Sequence, residues 1–199
     1  MIRDRKHIRL RNYDYASDGW YFVTICTHER ECYFGKIESK KMFPSDIGIQ
    51  AELMWNEIPQ HFPMAELGEF VVMPNHIHGI IGIHHKNIVG GIVGTRHGVS
   101  LPDTNDDIVR PPHGVAPQSS PQSPNFNQFG KTIPGSLSAI IGQYKSSVSR
   151  WCIKNNRAIF AWQSRFHDHV IRNQEEFDRI ENYILNNVAN WNSDKFYTE

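Results

Sequence analysis

Cysteine is scarce in this chain. Cys26, Cys32 and Cys152 are the only three among 199 residues, and none forms a CxxC pair. An odd, scattered set excludes a disulfide framework and a cysteine-rich zinc site, and it fits reduced thiols in a cytoplasmic protein. No run approaches the ~18 consecutive apolar residues of a membrane helix. The N-terminal MIRDRKHIRLRN also lacks an apolar stretch for export. Neither a membrane span nor a secretory signal is expected. Net charge is missing too, with 21 Lys plus Arg against 21 Asp plus Glu. Taken whole, that balance argues against a nucleic-acid partner. What is present is core-forming material: 39% hydrophobic and 12% aromatic residues, enough to exclude a wholly disordered chain.

The charge is not evenly spread. Residues 1–11 hold five basic side chains and one acidic, and residues 131–172 hold seven basic and one acidic. Acidic stretches at 12–83 and 173–199 cancel them in the total. Clustered Lys and Arg can contact phosphates whatever the net charge.

Hydrophobic patterning sets out the elements. WYFVTICTH (20–28) reads as a strand, and residues 44–59 read as a helix capped by Ser45 or Asp46 and stopped by Pro59. ELGEFVVMP (66–74) and HIHGIIGI (76–83) read as a hairpin turning at Pro74-Asn75. Residues 84–134 hold seven of the eleven prolines and form an expected flexible insertion within one domain spanning 1–199, with a short strand possible at Ile92-Val93. Helical spacing returns over 136–156, with Tyr144 at the centre of the apolar stripe. Residues 158–172 read as a strand entered through an irregular stretch, and 173–191 as a helix capped by Asn173. The order matches a ferredoxin-like split βαββαβ arrangement: an α+β fold with an antiparallel sheet and an added C-terminal helix.

His76-Ile77-His78 opens a predicted strand. Residues two apart share a strand face, so both imidazoles could reach one metal ion while Ile77 enters the core. His167 and His169, flanking Asp168, form a second pair of this kind. Two imidazoles alone would suit zinc or manganese.

The stretch FVVMPNHIHGII resembles the HUH signature of single-strand nucleases, and more closely that of the one-tyrosine HUH transposases, the IS200-like, REP-associated tyrosine transposases among them. RLRNYDYASDGWYFVTICTHER and WQSRFHDHVIRNQEEFDRIENYILNNVANW extend the resemblance over most of the chain outside the insertion. It implies a helical tyrosine nucleophile followed four residues later by Gln or Asn, which matches Tyr183 and Asn187. Helical geometry agrees with the match. Tyr183 sits ~100° and Asn187 ~60° from the centre of the buried stripe, on the same flank, whereas Asn186 points ~160° away.

The resemblance further implies that His76, His78 and Asn187 bind Mg²⁺ or Mn²⁺. Tyr183 would then nick and rejoin single-stranded, hairpin-associated DNA through a 5′-phosphotyrosine. Bacterial, cytoplasmic, nucleoid-associated localisation is implied as well, with monomer and homodimer both open. Arg3, Arg5, Lys6, Arg9 and Arg11 would form a DNA-contacting arm. Lys145, Arg150, Lys154, Arg157, Arg165 and Arg172 would line the DNA path. With the metal assigned to His76 and His78, Asp168 and His169 read as structural, supporting or DNA-contacting. Two other functions stay open: a non-catalytic nucleic-acid-binding module on the same fold, and a metal-dependent phosphodiester hydrolase that uses water.

Overall fold

A computed structural model describes residues 13–85 and 133–198. The arm residues Arg3, Arg5, Lys6, Arg9 and Arg11 lie outside the described residues, as do positions 86–132 of the expected insertion and the strand expected at Ile92-Val93.

The elements in chain order are β1 (Gly19–Cys26), β2 (Gly35–Glu38), β3 (Lys41–Pro44), α1 (Asp46–Asn56), α2 (Ile58–His61), β4 (Ala65–Met73), β5 (His76–Ile83), α3 (Leu137–Lys154), β6 (His167–Ile171) and α4 (Gln174–Asn186). The main sheet has four strands in the order β4-β5-β1-β6, and every pairing in it is antiparallel. Setting aside β2 and β3, which pair only with each other, the chain runs β1-α1-β4-β5-α3-β6. This is the split βαββαβ order of an α+β, ferredoxin-like fold.

Strand alternation divides the side chains between two apolar clusters. Tyr21, Val23, Ile25, Ile77, Ile81 and Val170 join the core beneath α1 and α3, with Trp55 and Tyr144 at its centre. Trp20, Ile80 and Ile171 point the other way and meet Phe177, Ile180 and Ile184 of α4. The sheet is thus covered on both faces, and every residue of the central strand β5 is buried. Tyr144 is a core residue as its stripe position predicts, and its hydroxyl donates to the Ala51 carbonyl.

Several boundaries differ from the sequence-based expectation. The β2–β3 hairpin is unforeseen. Its turn residues Ser39 and Lys40 both take positive φ, 49° and 62°, as a type I′ turn requires, but without the Asn-Gly pair that normally announces one. The helix expected over 44–59 is two helices. Ser45 caps the first, accepting from the Gly48 N–H at 3.1 Å, and Pro59 lies in the first turn of α2, where its missing N–H costs nothing. The strand expected over 158–172 shortens to β6. The chain before it is held by an isolated bridge between Thr27 and Trp162. The last helix stops at Asn186, capped by Asn187, and Trp191 belongs to a separate turn of 3₁₀ helix.

Gly79 sits in β5 immediately after His78. A Cβ there would overlap the Trp55 ring and lie 3.1 Å from the Phe70 Cβ. Gly79→Ala is therefore expected to overpack the core and cost about 1–3 kcal/mol. A thermal melt should show a drop of roughly 2–4 °C per kcal/mol lost. An unchanged melting temperature would mean that Trp55 has room to retreat.

Candidate active site

His76 and His78 point from β5 toward α4, on the face opposite the partner set of Ile77. Both are fully buried, at 0% exposure. Their ring centroids are 4.5 Å apart. Each Nδ1 is engaged from behind: the His76 Nδ1 with Asn75 Oδ1 at 2.8 Å, and the His78 Nδ1 with Thr24 Oγ1 at 2.9 Å. Thr24 stands directly across from His78 in the β1–β5 register. Hydrogen bonds at Nδ1 leave each Nε2 as the forward atom. The His76 Nε2 is buried and has no hydrogen-bond partner.

Helix α4 lays its apolar stripe on the sheet and so brings its flank over this pair. Tyr183 lies between the stripe residues Ile180 and Ile184. Its phenol oxygen is 3.1 Å from the His78 Nε2. Asn187, one turn later, is buried, and its Oδ1 is a second buried acceptor without a partner. The chain then turns back. Asp194 places Oδ2 3.3 Å from the Asn187 Nδ2 and 3.4 Å from the Tyr183 hydroxyl. One potential ligand atom from each of His76, His78 and Asp194 lies within 4.8 Å of the others. Phe196 closes the side, its ring 4.6 Å from that of His76.

Burial governs the electrostatics. It pulls His76 down to about 3, helped by the positive charges of Lys195 and Arg30. It pulls His78 down to about 2, with His76 as the next cause. Both imidazoles are therefore neutral across the physiological range and keep a lone pair for a cation. Tyr183 is pushed above the usual phenol value, first by burial and then by the Asp194 carboxylate. The closed pocket therefore holds its tyrosine as a neutral phenol.

The donor set fits a divalent cation. Ligand atoms of His76, His78 and Asp194 lie together, and the His76 Nε2 and the Asn187 Oδ1 are buried acceptors with no hydrogen-bond partner.

No protein-family model matches the chain. An uncharacterized protein of Haemophilus influenzae is 32% identical over 198 residues, covering 100% of this chain and 96% of that protein. A solved REP-associated tyrosine transposase bound to a REP hairpin superposes with a TM-score of 0.50 at 18% identity, covering 91% of this chain and 72% of the other. The chain shares its fold with that transposase. By its identity over the full length, it belongs to one family with the Haemophilus protein.

Within this fold, His76, His78, Tyr183 and Asn187 come together from two elements 105 residues apart in the case of His78 and Tyr183. Other expected site residues fall elsewhere. Asp168 pairs with Val23 and His169 with Phe22, so alternation puts Asp168 on the sheet face opposite His76 and His78. His169 shares the site's face, but its Nε2 binds the Glu176 Oε1 at 2.7 Å, at the start of α4. The groups that engage the two Nδ1 atoms are those of Thr24 and Asn75. His167 is exposed, in register with Thr24.

Helix α3 packs on the far face with α1, which removes Arg150 and Lys154 from the surroundings of the histidines. The Lys145 ammonium donates to the Gln163 carbonyl at 2.6 Å, and Arg157 pairs with Asp46. Arg165 and Arg172 are exposed on either side of β6.

Three residues at the site were not foreseen: Asp194, Arg30 and Lys195. Arg30 follows β1 with φ of 62°, and its guanidinium carbon lies 5.1 Å from the centre of the Phe196 ring. None belongs to a periodic pattern, and the tail reaches the site only because the chain reverses after α4.

Proposed function

We propose that this protein nicks and rejoins single-stranded DNA by transesterification, with Tyr183 as nucleophile and hairpin-associated DNA as substrate. The observation that carries this reading is the Tyr183 hydroxyl at 3.1 Å from the His78 Nε2, beside buried donor atoms with no partner. A hairpin substrate is supported by the REP hairpin bound to the structural relative.

His76, His78 and Asn187, with Asp194, would hold Mg²⁺ or Mn²⁺. Such a cation would supply positive charge to offset the negative charge developing on the scissile phosphate. The remaining work falls to the chain. Tyr183 attacks phosphorus, forming an O–P bond while the bond to the 3′-oxygen breaks, which leaves a 5′-phosphotyrosine and a 3′-OH. Two groups are in reach of the phenol proton, His78 and Asp194. The phosphotyrosine conserves the phosphodiester, so a 3′-OH can reverse the step and join strands.

The test is incubation with labelled hairpin-containing single-stranded DNA and Mn²⁺, followed by a denaturing gel. A covalent protein–DNA band is the expected result. Cleavage without such a band would favour water as the nucleophile. Binding without cleavage across a panel of hairpins would favour a non-catalytic binding module.

Asp194 supplies the only negative charge among the four donors. Asp194→Asn keeps its shape and removes that charge, so Mn²⁺ affinity measured by calorimetry is expected to fall about tenfold. Unchanged affinity would take Asp194 out of the donor set.

A further inference from the structure

We infer that Asn75 is a positioning residue that makes His76 a metal ligand by fixing which of its ring nitrogens carries the proton. The metal part of this inference rests on the reading above; the tautomer part does not.

At the level of sequence, Asn75 is a turn residue between two strands. In the fold it is fully buried at 0% exposure, and its whole side chain is engaged. The amide nitrogen donates to the Phe196 carbonyl at 2.8 Å and to the Arg30 carbonyl at 3.1 Å. It also approaches the Thr198 hydroxyl at 3.3 Å. Carbonyl oxygens only accept, so these partners determine which end of the amide is nitrogen. The other end, Oδ1, therefore faces the His76 Nδ1 as an acceptor at 2.8 Å.

An acceptor at that position requires a proton on Nδ1. A neutral imidazole has one N–H, so Nε2 must carry the lone pair. The His76 Nε2 is the buried atom with no partner, facing the Asp194 and His78 group. The alternative tautomer would set two lone pairs against each other at Nδ1 and bury an unpaired N–H at Nε2. Both changes carry a desolvation cost.

The turn that holds Asn75 is itself tied down. The Asn75 carbonyl accepts from both the backbone N–H and the hydroxyl of Thr27, each at 2.9 Å. The Arg30 carbonyl is presented by consecutive left-handed residues, Glu29 and Arg30, with φ of 52° and 62°. Non-glycine residues are rarely held there unless their surroundings demand it. Since Arg30 lies outside the C-terminal tail, the amide orientation does not depend on the Phe196 carbonyl alone.

The experiment uses the full-length protein, with and without Mn²⁺. Nitrogen NMR on isotope-labelled histidine, with the His76 signals assigned by their loss in His76→Gln, reads the tautomer in metal-free protein. Wild type is expected to show the Nδ1-protonated form. Asn75→Leu, which has no acceptor, should lose that preference and weaken Mn²⁺ binding by about tenfold or more. Asn75→Asp keeps the acceptor but gives up both donations, so it should be less stable yet keep the tautomer and bind Mn²⁺ within about threefold of wild type.

Protonation at Nε2 in the wild-type protein would overturn the inference, and so would equal loss of Mn²⁺ affinity in the Leu and Asp variants. A wild-type protein with the Nδ1 tautomer but no Mn²⁺ binding would leave Asn75 in its orienting role and remove the metal-dependent reading instead. Should Asn75→Leu fail to fold, wild type and Asn75→Asp still decide between these outcomes.

Discussion

Tyr183→Phe is expected to abolish the covalent protein–DNA band, lowering adduct formation at least about a thousandfold, while leaving Mn²⁺ affinity unchanged. The substitution removes one oxygen atom. That atom is the proposed nucleophile, and among the described residues no other tyrosine hydroxyl lies within hydrogen-bonding distance of either histidine. Tyr144 is committed to the Ala51 carbonyl in the core, and Tyr21 bonds to Ser17 and Tyr13 on the opposite face of the sheet. Tyr183 is 41% exposed, and phenylalanine keeps its ring while giving up the hydrogen bonds to His78 and Asp194. Without those bonds, stability should change by no more than about 1 kcal/mol, so lost activity cannot be blamed on lost fold. Strand cleavage that persists in Tyr183→Phe would reject the tyrosine as nucleophile and point to hydrolysis by water.

His78→Ala is expected to remove both metal binding and adduct formation. Its imidazole meets three partners at once: Thr24 behind, Tyr183 in front and the Phe22 ring stacked at 5.2 Å. Alanine leaves the Thr24 hydroxyl without its partner and opens a void beneath Phe22. A stability loss of about 1–3 kcal/mol follows. Mn²⁺ affinity should fall by at least about tenfold, with no adduct detectable at cation concentrations that saturate wild type. The two variants separate two roles: Tyr183→Phe should lose chemistry and keep the cation, whereas His78→Ala should lose both. A His78→Ala protein that still forms adduct at the wild-type rate would refute the proposed metal site.

Much of the site is legible in the amino-acid order because its spacings are local. His76 and His78 share a strand face because side chains alternate. Tyr183 and Asn187, singled out by the resemblance to one-tyrosine HUH transposases, share a helix flank because they are one turn apart. Elsewhere the local signal is ambiguous or absent. The Ser39-Lys40 turn adopts left-handed geometry without the residues that usually mark it. The pair His167 and His169 has the same spacing as His76 and His78, but the edge strand exposes the second pair while the central strand buries the first. The basic residues of α3 cluster in sequence near the last strand, yet the helix packs on the sheet face away from the histidines.

What the sequence determined by itself is the strands of the main sheet, the βαββαβ order and the pairing of like residues on shared faces, since periods of two and 3.6 are properties of the backbone. The tertiary structure decided which face each element turns to the sheet and what the chain does after α4. Those outcomes depend on burial summed over both apolar clusters, not on any local window. They bring Asp194 to the two histidines, seat Asn75 behind His76, and turn a neutral chain's scattered polar residues into one buried, convergent group.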